Sequence, residues 1–178
     1  WHGGADGRMR IAVAPTIPNQ ATDEFLDGCA ALAREYGVGI HTHLAESKVQ
    51  AVESRRRWGK SIVARLADHG VLGPGFVGAH SIWLTDDDLR MLADAGAAVA
   101  HNPGSNLRLG AGIAPVREML DLGVAVGLGT DGSVCADNQN LFEALRIASV
   151  ISTVRFPHET ERWLDADTVW GLATSGSA

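Results

Sequence analysis

Cysteine is scarce: Cys29 and Cys135 are the only two in 178 residues. Two thiols cannot build the disulfide framework of a small secreted domain, so a reducing compartment, the cytoplasm, is expected. Long apolar runs are missing as well. No stretch approaches the ~20 residues of a membrane span and no signal-peptide pattern is present, which excludes a membrane partner. Excess positive charge is also absent. The net charge is −6, and the only dense basic run, Arg55–Arg57, reads as a solvated helix face. Nucleic acid is therefore not an expected partner. Neither phosphate-binding glycine motif occurs, G-x-x-x-x-G-K-[ST] or a G-x-G-x-x-G between strand and helix. The chain begins at Trp1, not Met, which suggests a piece of a longer protein.

What is present is a balanced globular composition, with 46% hydrophobic and 20% charged residues. Five short apolar runs recur: RIAVAP (10–15), GVGIHTHL (37–44), GFVGAHS (75–81), AAVAHNP (97–103) and VAVGLGTDG (124–132). Being almost uninterrupted, they predict parallel strands buried on both faces. Helical segments separate them. Thr22 with Asp23 and Glu24 marks an N-terminus, Phe25, Leu26, Cys29, Ala33 and Tyr36 an apolar stripe, and Gly37 a stop. Further helices are expected around Ile62–Ala67, from Thr85 to Gly96, from Pro115 to Gly123, over 140–155, and from Asp167. Five βα units imply a parallel α/β sheet, either doubly wound or part of a (β/α)₈ TIM barrel. A whole barrel needs about 250 residues, so residues 1–178 would make a single partial domain.

Each strand turns polar at its carboxyl end. Thr16 follows the first, His43 and Glu46 the second, His80 the third, His101 and Asn102 the fourth, Thr130 and Asp131 the fifth. Parallel α/β folds place their chemistry at that edge. His41 and His43, two residues apart, face the same side of a strand. H-x-H chelates zinc in many proteins, and His43 is the expected metal ligand, with Glu46 within reach past the strand end. His41 is expected one layer lower, as a buried core histidine. His101 and Asn102, followed by Pro103, are expected to hold a turn. Trp83 is either a pocket wall or packing behind His80.

In order, HTHLAES, GAHSIWL, AHNPGSNLRLGAGIAPV and GTDGS resemble the second half of the amidohydrolase superfamily. The likeness is to its branch of cytosine, guanine and S-adenosylhomocysteine deaminases and s-triazine hydrolases. It implies an incomplete barrel, strands four to eight, around one divalent metal, usually zinc and sometimes iron. On it His43 and Asp131 are metal ligands, and Asp131 also carries a proton. Glu46 is the general acid/base, and His80 contacts the attacking hydroxide or the substrate. Thr16, Glu46, His80 and Trp83 touch a small heterocyclic substrate. The reaction implied is hydrolysis of a C–N bond in an N-heterocyclic amidine, most often deamination. The first-strand H-x-H of that family has no counterpart upstream of His41. The alternative is therefore a half-barrel that binds a ligand or self-associates without turnover. Exposed strand edges would favour a homo-oligomer in either case.

Overall fold

The computed structural model describes residues 1–177. At its centre is a wholly parallel sheet of β1 (Ala12–Val13), β2 (Gly39–Leu44), β3 (Phe76–His80), β4 (Ala98–His101) and β5 (Ala125–Leu128). The strands lie side by side in chain order, β1-β2-β3-β4-β5. A doubly wound sheet reverses its strand order at a switch point, whereas a barrel advances one strand at a time in one direction. The order therefore decides between the two closures, and the chain is a barrel segment. β1 and β5 are shorter than their apolar runs, because residues near the carboxyl edge leave the ladder to form loops.

Helices α1 (Asp23–Tyr36), α2 (Lys48–Trp58), α3 (Ile62–Asp68), α4 (Asp86–Asp94), α5 (Pro103–Arg108), α6 (Val116–Asp121), α7 (Ser133–Ala136), α8 (Leu141–Arg155) and α9 (Ala166–Ala173) fill the connections. None of the described helices is long and apolar enough to cross a membrane. Local chemistry sets their ends. Thr22 Oγ1 accepts from the Phe25 amide, and Gly37 ends α1 in the left-handed region at φ 61°. Ser47 with Gln50 and Thr85 with Asp88 form capping boxes at α2 and α4, satisfying amides that a helix start leaves orphaned. The Arg55–Arg57 run occupies the last turn of α2, where cations meet the negative end of the helix dipole, and all three residues are exposed.

Two helices depart from expectation. α2 is a separate helix, closed at Gly59 (φ 69°) before Ser61 caps α3. The Asn102–Pro103 turn is the entry to α5, with proline at the first helical position, where its missing N–H costs nothing. In α1 the buried stripe is Leu26, Cys29, Ala30 and Ala33, at i, i+3, i+4 and i+7. Phe25 and Tyr36, at its flanks, stay exposed.

The core lies between the helices and one face of the sheet. Ile40, Leu44, Phe76, Val99 and Val126 point outward into it, against residues such as Leu66, Leu92 and Met119. The opposite, concave face carries His41, Val77, Ala98 and Ala125 in one register row. His43, Ala79, Ala100 and Gly127 form the next row. The first of these rows is not buried: His41 and Ala125 are exposed and Val77 and Ala98 only half-buried. Burial on both faces and a core position for His41 were the expectations, and neither holds in this chain. Inner barrel residues pack on side chains from strands across the barrel, and five neighbouring strands form only an arc. His41 keeps a lowered pKa, from partial desolvation and then the nearby His43 imidazole.

One glycine near the carboxyl edge is dictated by close approach. The Gly129 amide donates to the His101 carbonyl at 2.8 Å, and a Cβ on Gly129 would collide with the buried Asn102 Oδ1. Gly129→Ala is expected to cost about 1–3 kcal/mol, the usual penalty of overpacking, read as a lower denaturant midpoint at unchanged m-value.

Candidate active site

His43 stands near the carboxyl end of β2. Its Nδ1 lies 2.6 Å from the Thr16 carbonyl oxygen, which also accepts the His43 amide at 3.2 Å. A carbonyl can only accept, so Nδ1 carries a proton, and in the neutral tautomer this selects the lone pair lies on Nε2. Ligating histidines in metal sites are held in this way. Thr16 serves here through its main chain, a contribution its residue type could not announce.

His80 ends β3 at φ 67°, and Ser81 follows at φ 52°. Strand alternation would aim His80 with Phe76 and Gly78 toward the helices. Two successive left-handed residues, each costing about 1–3 kcal/mol unless the surroundings enforce it, turn it to the mouth instead. The residue is 1% exposed. Its ring stacks on His43 with centroids 5.4 Å apart and planes 12° from parallel. Nδ1 lies 2.8 Å from Asn106 Oδ1. Nε2 faces two carboxylates, Glu46 Oε1 at 4.0 Å and Asp131 Oδ2 at 3.9 Å. Both separations are too long for direct hydrogen bonds, so the three groups converge on a common point without closing on each other.

Glu46 sits between Ala45 (φ 44°) and the cap of α2, with its amide fixed by Gln50 Oε1 at 2.8 Å. Asp131 is itself left-handed at φ 61°. Ser105 Oγ donates to its Oδ2 at 2.6 Å and the Gly132 amide to its Oδ1 at 2.7 Å. Burial alone would raise its pKa. The Ser105 and Gly132 hydrogen bonds, with the His80 and His43 imidazoles, outweigh that and hold it below the usual carboxylate value.

His43, Glu46, His80 and Asp131 thus meet at one mouth, and Thr16 joins them through its carbonyl. Trp83 stands beside them. It walls a separate cleft of ≈ 560 Å³ with Lys48, Val52, Ile62 and Ile82, which none of the mouth residues lines, and its Nε1 donates to the Ala111 carbonyl at 2.7 Å. His101 faces the other way, into the α6 and α8 side of the core, 2% exposed and with Nδ1 unpartnered. Burial first and the His80 imidazole second push its pKa down to about 4. Asn102 braces the turn by bearing on Gly129 and donating to the Ala100 carbonyl at 3.3 Å. Ser105 and Asn106 hold two of the mouth residues; they lie within AHNPGSNLRLGAGIAPV, a motif that assigns neither a role. The one available signal is that NPGSN, directly after a strand end, continues polar into a segment that must pack.

The donor chemistry suits a divalent metal in kind: one neutral imidazole nitrogen kept free and one ionised carboxylate. It falls short in number. Among the described residues no three His, Cys, Asp or Glu side chains are grouped to hold a metal ion, whereas catalytic zinc usually has three protein ligands.

Residues 1–176 match the model of the amidohydrolase family, and the chain belongs to that family. A 5'-deoxyadenosine deaminase of Methanosarcina mazei is 39% identical over 178 residues, all of this chain and 41% of the relative. A 5-methylthioadenosine/S-adenosylhomocysteine deaminase of Symbiobacterium thermophilum is 44% identical over 146 residues, 82% of this chain and 33% of the relative. Among solved structures, a variant of the atrazine chlorohydrolase of Arthrobacter aurescens TC1, complexed with zinc and atraton, superposes with a TM-score of 0.91. It shares 36% identity over 97% of this chain and 38% of that one. A zinc-bound adenosine deaminase of Xanthomonas campestris gives a TM-score of 0.93 at 27% identity, over 99% of this chain and 40% of that one. The chain therefore spans about two fifths of the length of the first of these relatives.

Proposed function

We propose that the protein carrying this chain is a metal-dependent hydrolase that deaminates an N-heterocyclic amidine, with an adenosine-type purine the favoured class. The observation that carries this reading is the convergence of His80 Nε2 on the Glu46 and Asp131 carboxylates, beside the free Nε2 of His43. The deaminase relatives support the choice of reaction, and the zinc-bound neighbours support zinc.

His43 and Asp131 would hold the ion together with donors from outside these residues. When bound, it supplies a water acidified to a pKa of about 7. The remaining work belongs to the side chains. Asp131, kept ionised, accepts the proton of the attacking water. His80, with a proton held on Nδ1 toward Asn106 Oδ1, would accept a hydrogen bond at Nε2 and so orient that water. Glu46 delivers a proton to the ring nitrogen that gains charge as the adjacent carbon becomes tetrahedral; the proton held by Asp131 then passes to the exocyclic nitrogen, which leaves as ammonia as its C–N bond breaks, and the hydroxyl proton returns to Glu46 as the carbonyl forms. Thr16, whose carbonyl holds His43, borders the space where the heterocycle would lie.

The test is a metal analysis of the full-length protein with an ammonia-release screen over purine nucleosides, guanine, cytosine and aminotriazines. Turnover of at least one of these at full metal occupancy is expected. A fully metallated protein that releases ammonia from none of them overturns the reading.

The second reading, a non-catalytic half-barrel that self-associates, draws on the incomplete donor set and the uncovered concave face. It leads to a prediction for the 178-residue chain by itself. Zinc occupancy well below one per chain and no turnover are expected, measured by equilibrium dialysis and the same assay.

A further inference from the structure

Two adjacent residues of α5 touch two different mouth residues, one closing β3 and the other in the loop that follows β5. Ser105 is fully buried and holds Asp131, and Asn106 is 2% exposed and holds His80. Each contact crosses 26 positions of chain. The geometry points to α5 as a positioning clamp for the mouth, with Asn106 dictating which nitrogen of His80 carries the proton; this rests on the hydrolase reading above.

Two environments compete for that proton. On the Nε2 side lie the Glu46 and Asp131 carboxylates, at 4.0 and 3.9 Å. Both are acceptors and would draw the proton to Nε2. On the Nδ1 side lies one neutral acceptor, Asn106 Oδ1, at 2.8 Å. The short contact wins because hydrogen-bond strength falls steeply with distance. The proton then sits on Nδ1, and Nε2 offers a lone pair to a water between the carboxylates. Without the amide oxygen, a buried imidazole would place its proton on Nε2 and point a donor where an acceptor is needed.

A second observation indicates that Asn106 serves His80 and not the fold. Its Nδ2 is buried with no partner among the described residues. A buried unpaired donor costs about 1–3 kcal/mol, so an apolar side chain of similar shape would be better tolerated at this position were packing the only demand. Local rules broken in this way are expected at functional sites.

The test uses the full-length protein with ¹⁵N-labelled histidine, metal-free, at one fixed pH where His80 is neutral. Long-range ¹H–¹⁵N spectra should show the wild-type His80 protonated at Nδ1, Asn106→Leu protonated at Nε2, and Asn106→Asp, which keeps an acceptor, back at Nδ1. In the metal-loaded enzyme Asn106→Leu should lower kcat by about 10–100-fold, the usual effect of losing a group that orients an active-site ligand, with KM little changed. Asn106→Asp should recover part of the loss. Ser105→Ala should lower kcat through Asp131, with Ser105→Thr restoring it. A wild-type His80 protonated at Nε2, or an Asn106→Leu protein whose tautomer and kcat are both unchanged, overturns the clamp. Equal loss in the Leu and Asp variants without a tautomer change also overturns it, because it marks a merely structural role. Should the wild type turn over none of the heterocycles, the hydrolase reading fails, while the tautomer comparison still decides the clamp.

Discussion

Replacing Glu46 by glutamine in the full-length protein is expected to lower kcat by about 10²–10⁴-fold, the worth of a positioned general acid–base group, while heterocycle binding is largely kept. The substitution preserves shape. The Glu46 backbone is set by Gln50 Oε1 and by the capped start of α2, so the glutamine should occupy the same place. What disappears is a group able both to take up and to release a proton at the point faced by His80 Nε2. Single-turnover kinetics with an adenosine-type substrate, alongside ligand binding by fluorescence or calorimetry, separates the two effects. A glutamine variant with near wild-type kcat would remove Glu46 from the mechanism. Loss of binding without loss of kcat would leave it a binding residue only.

Acid should destabilise the chain well above the range in which carboxylates titrate. His101 is buried with a pKa near 4, against 6.5 for an ordinary histidine, through desolvation and the neighbouring His80. The unfolded chain therefore binds a proton between those values that the folded chain refuses. Stability is fully present above pH 6.5, falls as the pH drops through that window and levels off near 4, losing about 3 kcal/mol in total, 2.5 units at 1.36 kcal/mol each. The lowered pKa of His41 acts in the same sense, although its exposure on the open face screens its share. Asp23 and Asp131, held below the ordinary carboxylate value, lose their contribution only at lower pH. Urea unfolding at pH 7, 5 and 4 checks the slope. His101→Leu, which removes a buried imidazole whose Nδ1 has no partner, should flatten it. A pH-independent midpoint in the parent chain would show that His101 is protonated in the folded state.

Elements governed by neighbouring residues are legible in the amino-acid sequence alone. The caps at Thr22 and Thr85, the stop at Gly37 and the five apolar runs depend on interactions within a few positions, and each appears where expected. His43, Glu46, His80 and Asp131 are legible for a related reason. A parallel sheet gathers at one edge whatever stands at its carboxyl ends, so a polar residue closing an apolar run is a candidate for the mouth, although His101 closes such a run and faces the core. Ser105 and Asn106 are not legible, because their partners lie 26 residues away and only the packing of α5 across the mouth brings them together. The expectation for His41 fails because its surroundings depend on strands across a barrel, which no local pattern reports. For His80, alternation by itself aims the side chain at the helices, and the left-handed backbone at His80 and Ser81 reverses it.

By itself, then, the amino-acid sequence determined the alternation of strands and helices, the ends of most helices and the set of side chains delivered to the carboxyl edge. Short-range hydrogen bonds, apolar periodicity and fixed φ preferences suffice for these. Only the tertiary structure decided the strand order that makes the sheet a barrel arc, the turning of His80 toward Glu46 and Asp131, and the grip of α5 on two of the site residues. Those features are contacts between residues distant in the chain. Their geometry is set by how whole helices pack on the sheet, and no pattern of nearest neighbours encodes it.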